Sequence, residues 1–164
     1  MISRQMVDSL NKQTNAEVYS SHLYLAMSAY FESVNLKGFA NWMKVQAAEE
    51  LTHADKFYQH IIDRRGRAKL MTVEEPPFEW GSPSDAVKAA FEHEVKVTGL
   101  INDLVNLAVS EKDNTSFNFL QWFVAEQVEE EKSVDEILQR IKVAGGQGPG
   151  LLLIDSELAQ RKAK

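Results

Sequence analysis

Four long stretches without proline, residues 3–33, 38–65, 84–111 and 114–143, restrict the fold of this chain more than any other feature. In each, apolar residues recur at alternating steps of three and four, the spacing of one helical face. Val7, Leu10, Thr14, Glu17, Ser21, Tyr24, Ser28 and Phe31 share such a stripe in the first stretch. Phe39, Met43, Gln46, Glu50, His53, Phe57 and Ile61 form the second. The third supplies Val87, Ala90, Glu94, Val97, Ile101, Leu104 and Ala108, and the fourth Leu120, Phe123, Gln127, Glu130, Val134, Ile137 and Ile141. No stretch alternates with period two, so strands are not expected. Ser82 or Ser84 is placed to cap the third helix, Asp113 or Asn114 the fourth, and Gly145 can end it.

Helices of this length are ~42 Å long. The short "NLKG" link makes the first two antiparallel. The connector from the second to the third, with Pro76 and Pro77, reaches ~50 Å when extended, enough to return along the whole bundle. The predicted fold is all-α: a four-helix bundle with one long crossover between the second and third helices. Residues 1–145 make the bundle, and 146–164 add a short helix to the same domain, opened by Pro149. The chain has 164 residues, no cysteine and a net charge of −6. That length suggests one domain, and the missing cysteines exclude disulfides and thiolate metal sites. An acidic chain without basic clusters argues against a nucleic-acid partner. No apolar run approaches the ~18 residues of a membrane span. The polar start, "MISRQMVDSLNKQ", shows no signal peptide, so a cytoplasmic protein is expected.

Each stripe is interrupted near its midpoint: by Glu17, by Glu50 with His53, by Glu94, and by Gln127 with Glu130. Midpoints of equal helices coincide in a bundle, so these six residues are expected at one depth in the core. An isolated buried charge costs several kcal/mol, and one histidine cannot balance four carboxylates. A pair of divalent metals can. Carboxylate oxygens with a single imidazole suit iron or manganese, and Glu50-x-x-His53 puts two ligands on adjacent turns of one face. Any one of these residues alone reads as a boundary glutamate bent to water or a hydrogen-bonded core histidine; four helices interrupted at one level do not. Tyr24 is either a core tyrosine or a hydrogen-bond partner of the site. Glu49, Glu126 and Glu129 are either solvated helix glutamates or a second, more exposed cation site. His22, His60 and His93 lie off the stripes and are given surface or packing roles, as is Trp122.

The segments "NAEVYSSHLYLAMSAYF", "GFANWMKVQAAEELTHADKF", "FEHEV" and "NFLQWFVAEQVEEEKS" together closely resemble the non-haem ferritins of bacteria and archaea. The resemblance runs from the first helix to the last. It implies a ferroxidase centre with Glu17, Glu50 and His53 around one iron, Glu50 bridging to a second iron held by Glu94 and Glu130, and Gln127 close by. It also implies a third iron site from Glu49, Glu126, Glu129 and Glu130, and a role for Tyr24 beside the centre. Haem is not expected: Leu51 stands where bacterioferritins are expected to carry the haem-ligating methionine, and Gln127 and Glu130 replace their second Glu-x-x-His. The implied function is iron storage and detoxification. Fe²⁺ is oxidised by dioxygen or peroxide, and ferric oxyhydroxide is deposited inside a self-assembled shell of two dozen subunits, whose short fifth helix the tail would supply. The rival is a di-iron or di-manganese oxidoreductase on the same bundle, without mineral storage. A non-catalytic helical assembly module, binding an ion only structurally, is the blander one.

Overall fold

Among the described residues, three of the five helices begin at a side-chain cap. In the computed structural model, which describes residues 1–163, α1 runs Arg4–Ser33, α2 Lys37–Asp63, α3 Pro83–Ser110, α4 Asn114–Val143 and α5 Pro149–Leu158. The Ser3 hydroxyl accepts the Met6 N–H at 2.9 Å, Ser82 that of Asp85 at 3.1 Å, and the Asp113 carboxylate that of Ser116 at 3.1 Å. Ser82 and Asp113 are therefore the caps, and Ser84 and Asn114 lie inside the first turns.

The four bundle helices also stop in one way. Asn35, Arg65, Lys112 and Gly145 each take a positive φ, of 60°, 61°, 55° and 77°. The N–H of the residue after each reaches back into the helix: Leu36 to the Phe31 carbonyl at 3.0 Å, Gly66 to Ile61 at 2.8 Å, Asp113 to Ala108 at 2.9 Å and Gly146 to Ile141 at 3.0 Å. Gly145 advertises this stop in the sequence, and Asn35 more weakly. Arg65 and Lys112 bear side chains that cost roughly 1–2 kcal/mol in this conformation, repaid by the satisfied carbonyls.

Helices α1 and α2 form one antiparallel hairpin, α3 and α4 the other. The connector, residues 64–82, is irregular and lies along α1. Near its start, the Asn11 side chain donates to the Arg67 carbonyl at 3.1 Å and accepts the Lys69 N–H at 2.8 Å. At its far end Trp80 rests on Tyr30, ring centroids 5.5 Å apart. Asn11 to Tyr30 is ~28 Å of helix, so the crossover does return along the bundle and starts α3 antiparallel to α1.

The apolar core is in two blocks. One, towards the start of α1, contains Met6, Leu10, Phe57, Ile101, Leu120 and Phe123; the other contains Met27, Phe31, Phe39, Met43, Val87 and Ile137. Phe57 stacks on Phe123 at 4.0 Å in the first, Phe31 on Phe39 at 5.0 Å in the second. Between the blocks lie Glu17, Gln46, Glu50, His53, Glu94, Gln127 and Glu130, all buried. The helical midpoints thus meet at one depth.

Helix α5 closes the second block with Leu151, Ile154 and Leu158. It fits because position 38 is glycine: a Cβ there would stand 1.6 Å from the Asp155 carbonyl oxygen. The Asp155 carboxylate in turn accepts the Phe39 N–H at 2.9 Å, and Arg140 of α4 pairs with Glu157.

Candidate metal centre

The mid-layer is built symmetrically. Each hairpin supplies one glutamate from its first helix (Glu17 or Glu94) and an i, i+3 pair from its second (Glu50 with His53, or Gln127 with Glu130). Side-chain ligand atoms of Glu17, Glu50 and His53 lie within 4.8 Å of one another, as do those of Glu50, Glu94 and Glu130, and of His53, Glu126 and Glu130. Glu50 belongs to the first two groups and so joins them.

Hydrogen bonds fix these side chains. Gln13 donates to Glu17 Oε1 at 2.7 Å, one turn along α1. Gln46 does the same for Glu50 Oε1 at 2.7 Å and also donates to Glu130 Oε2 at 2.7 Å. His53 Nδ1 stands 3.1 Å from Glu50 Oε2. The Tyr24 hydroxyl donates to Glu94 Oε1, and Gln127 donates to Glu94 Oε2 at 3.1 Å. Gln127 also reaches the Glu94 carbonyl and the Thr98 hydroxyl, both at 3.3 Å. Thr98 then donates to Glu131 at 2.5 Å. Tyr24 is thus a partner of the cluster as well as a core residue. Among the described residues, Glu130 Oε1 is buried with no hydrogen-bond partner.

Without a cation the layer carries too much negative charge. Burial first, and then the charge of Glu50, raise Glu94 to about 8, and the same two causes raise Glu130 to about 8. Glu17 is pushed well up by burial and Glu50. Burial raises Tyr24, helped by Glu94. Burial alone would lower His53, but its hydrogen bond to Glu50 and that carboxylate's charge outweigh it, leaving the imidazole raised. Protons are held where they would ordinarily be gone. Divalent cations would displace them and occupy the orphaned Glu130 oxygen; hard oxygen donors with one imidazole fit iron.

Not every glutamate expected near a metal joins these groups. Glu126 does, its Oε1 3.9 Å from His53 Nε2. Glu129 is exposed. Glu49 Oε2 is held by Arg161 at 2.8 Å, on the side of α5. The off-stripe histidines have other partners. His93 bonds Ser20 at 2.7 Å, packs on Tyr19 and Tyr24, and is lowered to about 4 by burial, so it stays neutral. His60 stacks on Phe119 at 3.9 Å, and exposed His22 faces the Val18 carbonyl. The Trp122 and His53 rings meet in a T-shaped contact with centroids 5.5 Å apart, and Lys56 lies over the Trp122 ring.

Sequence reasoning missed Gln13, Gln46, Thr98 and Arg161. For the two glutamines a signal existed, since each lies four residues before a core glutamate. Nothing in the sequence flagged Arg161.

Residues 7–144 match the Ferritin family, described as a ferritin-like domain. A bacterial non-heme ferritin of Bacteroides fragilis is 45% identical over 98% of this chain and 100% of its own length. That of Escherichia coli O6:H1 is 38% identical over 97% and 96%. Among solved structures, an open-pore ferritin from the hyperthermophilic archaeon Archaeoglobus fulgidus superposes with a TM-score of 0.98 at 52% identity, covering 99% of this chain and 100% of that one. No helix among the described residues is long and apolar enough to cross a membrane. Fold, mid-layer and likeness agree that the chain belongs to the ferritin family, alongside the non-haem ferritins of bacteria and archaea.

Proposed function

We propose that the chain is a ferroxidase subunit of an iron-storing shell, with iron as its substrate and cargo. The observation that carries this is the sharing of Glu50 by two ligand groups beside an unpartnered, buried Glu130 oxygen. One Fe²⁺ is held by Glu17, Glu50 and His53, the other by Glu50, Glu94 and Glu130, with Gln127 turning its amide on Glu94. Each ferrous ion gives one electron to dioxygen, which becomes peroxide. Water supplies the oxygen of the ferric oxyhydroxide and releases protons. Anionic oxygen donors favour Fe³⁺ over Fe²⁺ and so drive the oxidation. Gln127, neutral where a carboxylate could stand, keeps ferric product from being held too tightly.

A third iron at Glu126 and Glu130, completed by Glu49 and Glu129, is available only when Arg161 releases Glu49. Assembly into a shell of two dozen copies would cover exposed apolar residues such as Leu25, Val128, Leu152 and Leu153. The shell works in the cytoplasm. The experiment is aerobic loading of the assembled protein with Fe²⁺. Thousands of irons per particle and oxidation far faster than in buffer are expected, and Glu50→Ala should remove the rate enhancement. A few irons per chain would instead favour an oxidoreductase acting on a separate substrate. That rival has one observation behind it, an open groove of about 560 Å³ between α3 and α4 with Gln127 on its wall. Gln127 and Thr98 divide that groove from Glu94.

A further inference from the structure

We infer that Arg161, on the segment following α5, is a positioning residue of the metal centre and acts through Gln46. The inference rests on the metal-centre reading above. The Arg161 guanidinium lies over the Trp42 ring, 4.2 Å from its centroid, and donates to the Trp42 carbonyl at 3.2 Å. Its Nη2 donates to Gln46 Oε1 at 2.8 Å and to Glu49 Oε2 at 2.8 Å. Asn41 fixes the surrounding backbone by donating to the carbonyls of Leu158 at 3.3 Å and Arg161 at 3.1 Å.

The chemistry of these groups leaves one arrangement. A guanidinium has donors only, so the Gln46 carbonyl oxygen must face Arg161. The Gln46 amide nitrogen then points inward, and its two hydrogens meet Glu50 Oε1 and Glu130 Oε2. Gln46 is fully buried, so losing a partner would leave its amide short of a hydrogen bond. It pins one oxygen on each of two helices. The other Glu50 oxygen is thereby directed to His53, and the other Glu130 oxygen is left without a partner. If the amide were turned over, its oxygen would face two carboxylates. Arg161 is what prevents that turn. The same guanidinium holds Glu49 out of the mid-layer, so the C-terminal segment sets both the aim and the number of the carboxylates.

Partners of metal ligands of this kind are worth roughly 10–100-fold in metal affinity. The test is a double-mutant cycle on the assembled protein, titrated with Co²⁺ and followed by visible absorption of the bound ion. Arg161→Met and Gln46→Leu should each weaken binding about tenfold or more, and the double variant should bind no more weakly than Gln46→Leu alone. Amide exchange at residues 158–161 should slow on Co²⁺ loading of the parent protein and not of Gln46→Leu, because coupling is reciprocal. Affinity of Arg161→Met within twofold of the parent, or losses that simply add, would overturn the coupling while leaving the centre intact. Co²⁺ binding in the parent that Glu50→Ala does not reduce would overturn the centre itself, and the coupling with it.

Discussion

Replacing Glu94 by glutamine should stabilise the metal-free protein, and increasingly so as pH rises from about 5 towards 8. Glu94 is 2% exposed, and burial followed by the Glu50 charge lifts it from 4.5 to about 8. Between those values the folded chain keeps a proton that the unfolded chain has lost. The stability tied to this proton is therefore complete below about pH 4.5 and is lost as pH rises through about 8. A displacement of that size is worth roughly 5 kcal/mol over the whole window, of which about 3 kcal/mol falls between pH 5 and pH 7.5. For a chain of this length that is ~6–12 °C in Tm. Circular-dichroism melts in chelator, at one protein concentration because assembly couples to stability, should show Tm of the parent falling across this range. The Glu94→Gln curve should be flatter by about that amount. Adding Co²⁺ to the parent should reverse the slope, since metal binds the deprotonated carboxylates. Parallel curves for parent and variant, without metal, would refute the account of a charge-overloaded layer.

Gln127→Glu would set a fourth-helix carboxylate against both the carbonyl and the side chain of Glu94; repeated Fe²⁺ additions should then show slower later turnovers with an unchanged first one. Gly38→Ala would drive a methyl into the Asp155 carbonyl, so α5 should detach and limited proteolysis should cut near Gly145–Gly148 much faster than in the parent.

The mid-layer was legible because its information is periodic. Glu17, Glu50, His53, Glu94, Gln127 and Glu130 fall on the stripes that Leu10, Phe57, Ile101 and Phe123 define, and coincident midpoints need no knowledge of loop paths. The crossover was legible from reach alone. Arg161 was not, because it lies beyond the last helix and meets Trp42, Gln46 and Glu49 only once α5 has folded back. Glu49 adjoins Glu50 in sequence, yet adjacent helix positions point about 100° apart, and that rotation turns it towards Arg161, which holds it there. The stops at Arg65 and Lys112 were equally hidden: they are set by carbonyl partners, and residue type gives no warning of them.

A site that iron passes through is filled and vacated over and over, so the fold has to stand while that site is empty. Here greasy contacts above and below the carboxylates do the fastening: Phe57 on Phe123 towards one tip, Phe31 on Phe39 towards the other. Fastened in that way, the waist could swap protons for iron and back without the rods coming apart, and a subunit of the proposed kind would work as a reusable port rather than a one-time trap.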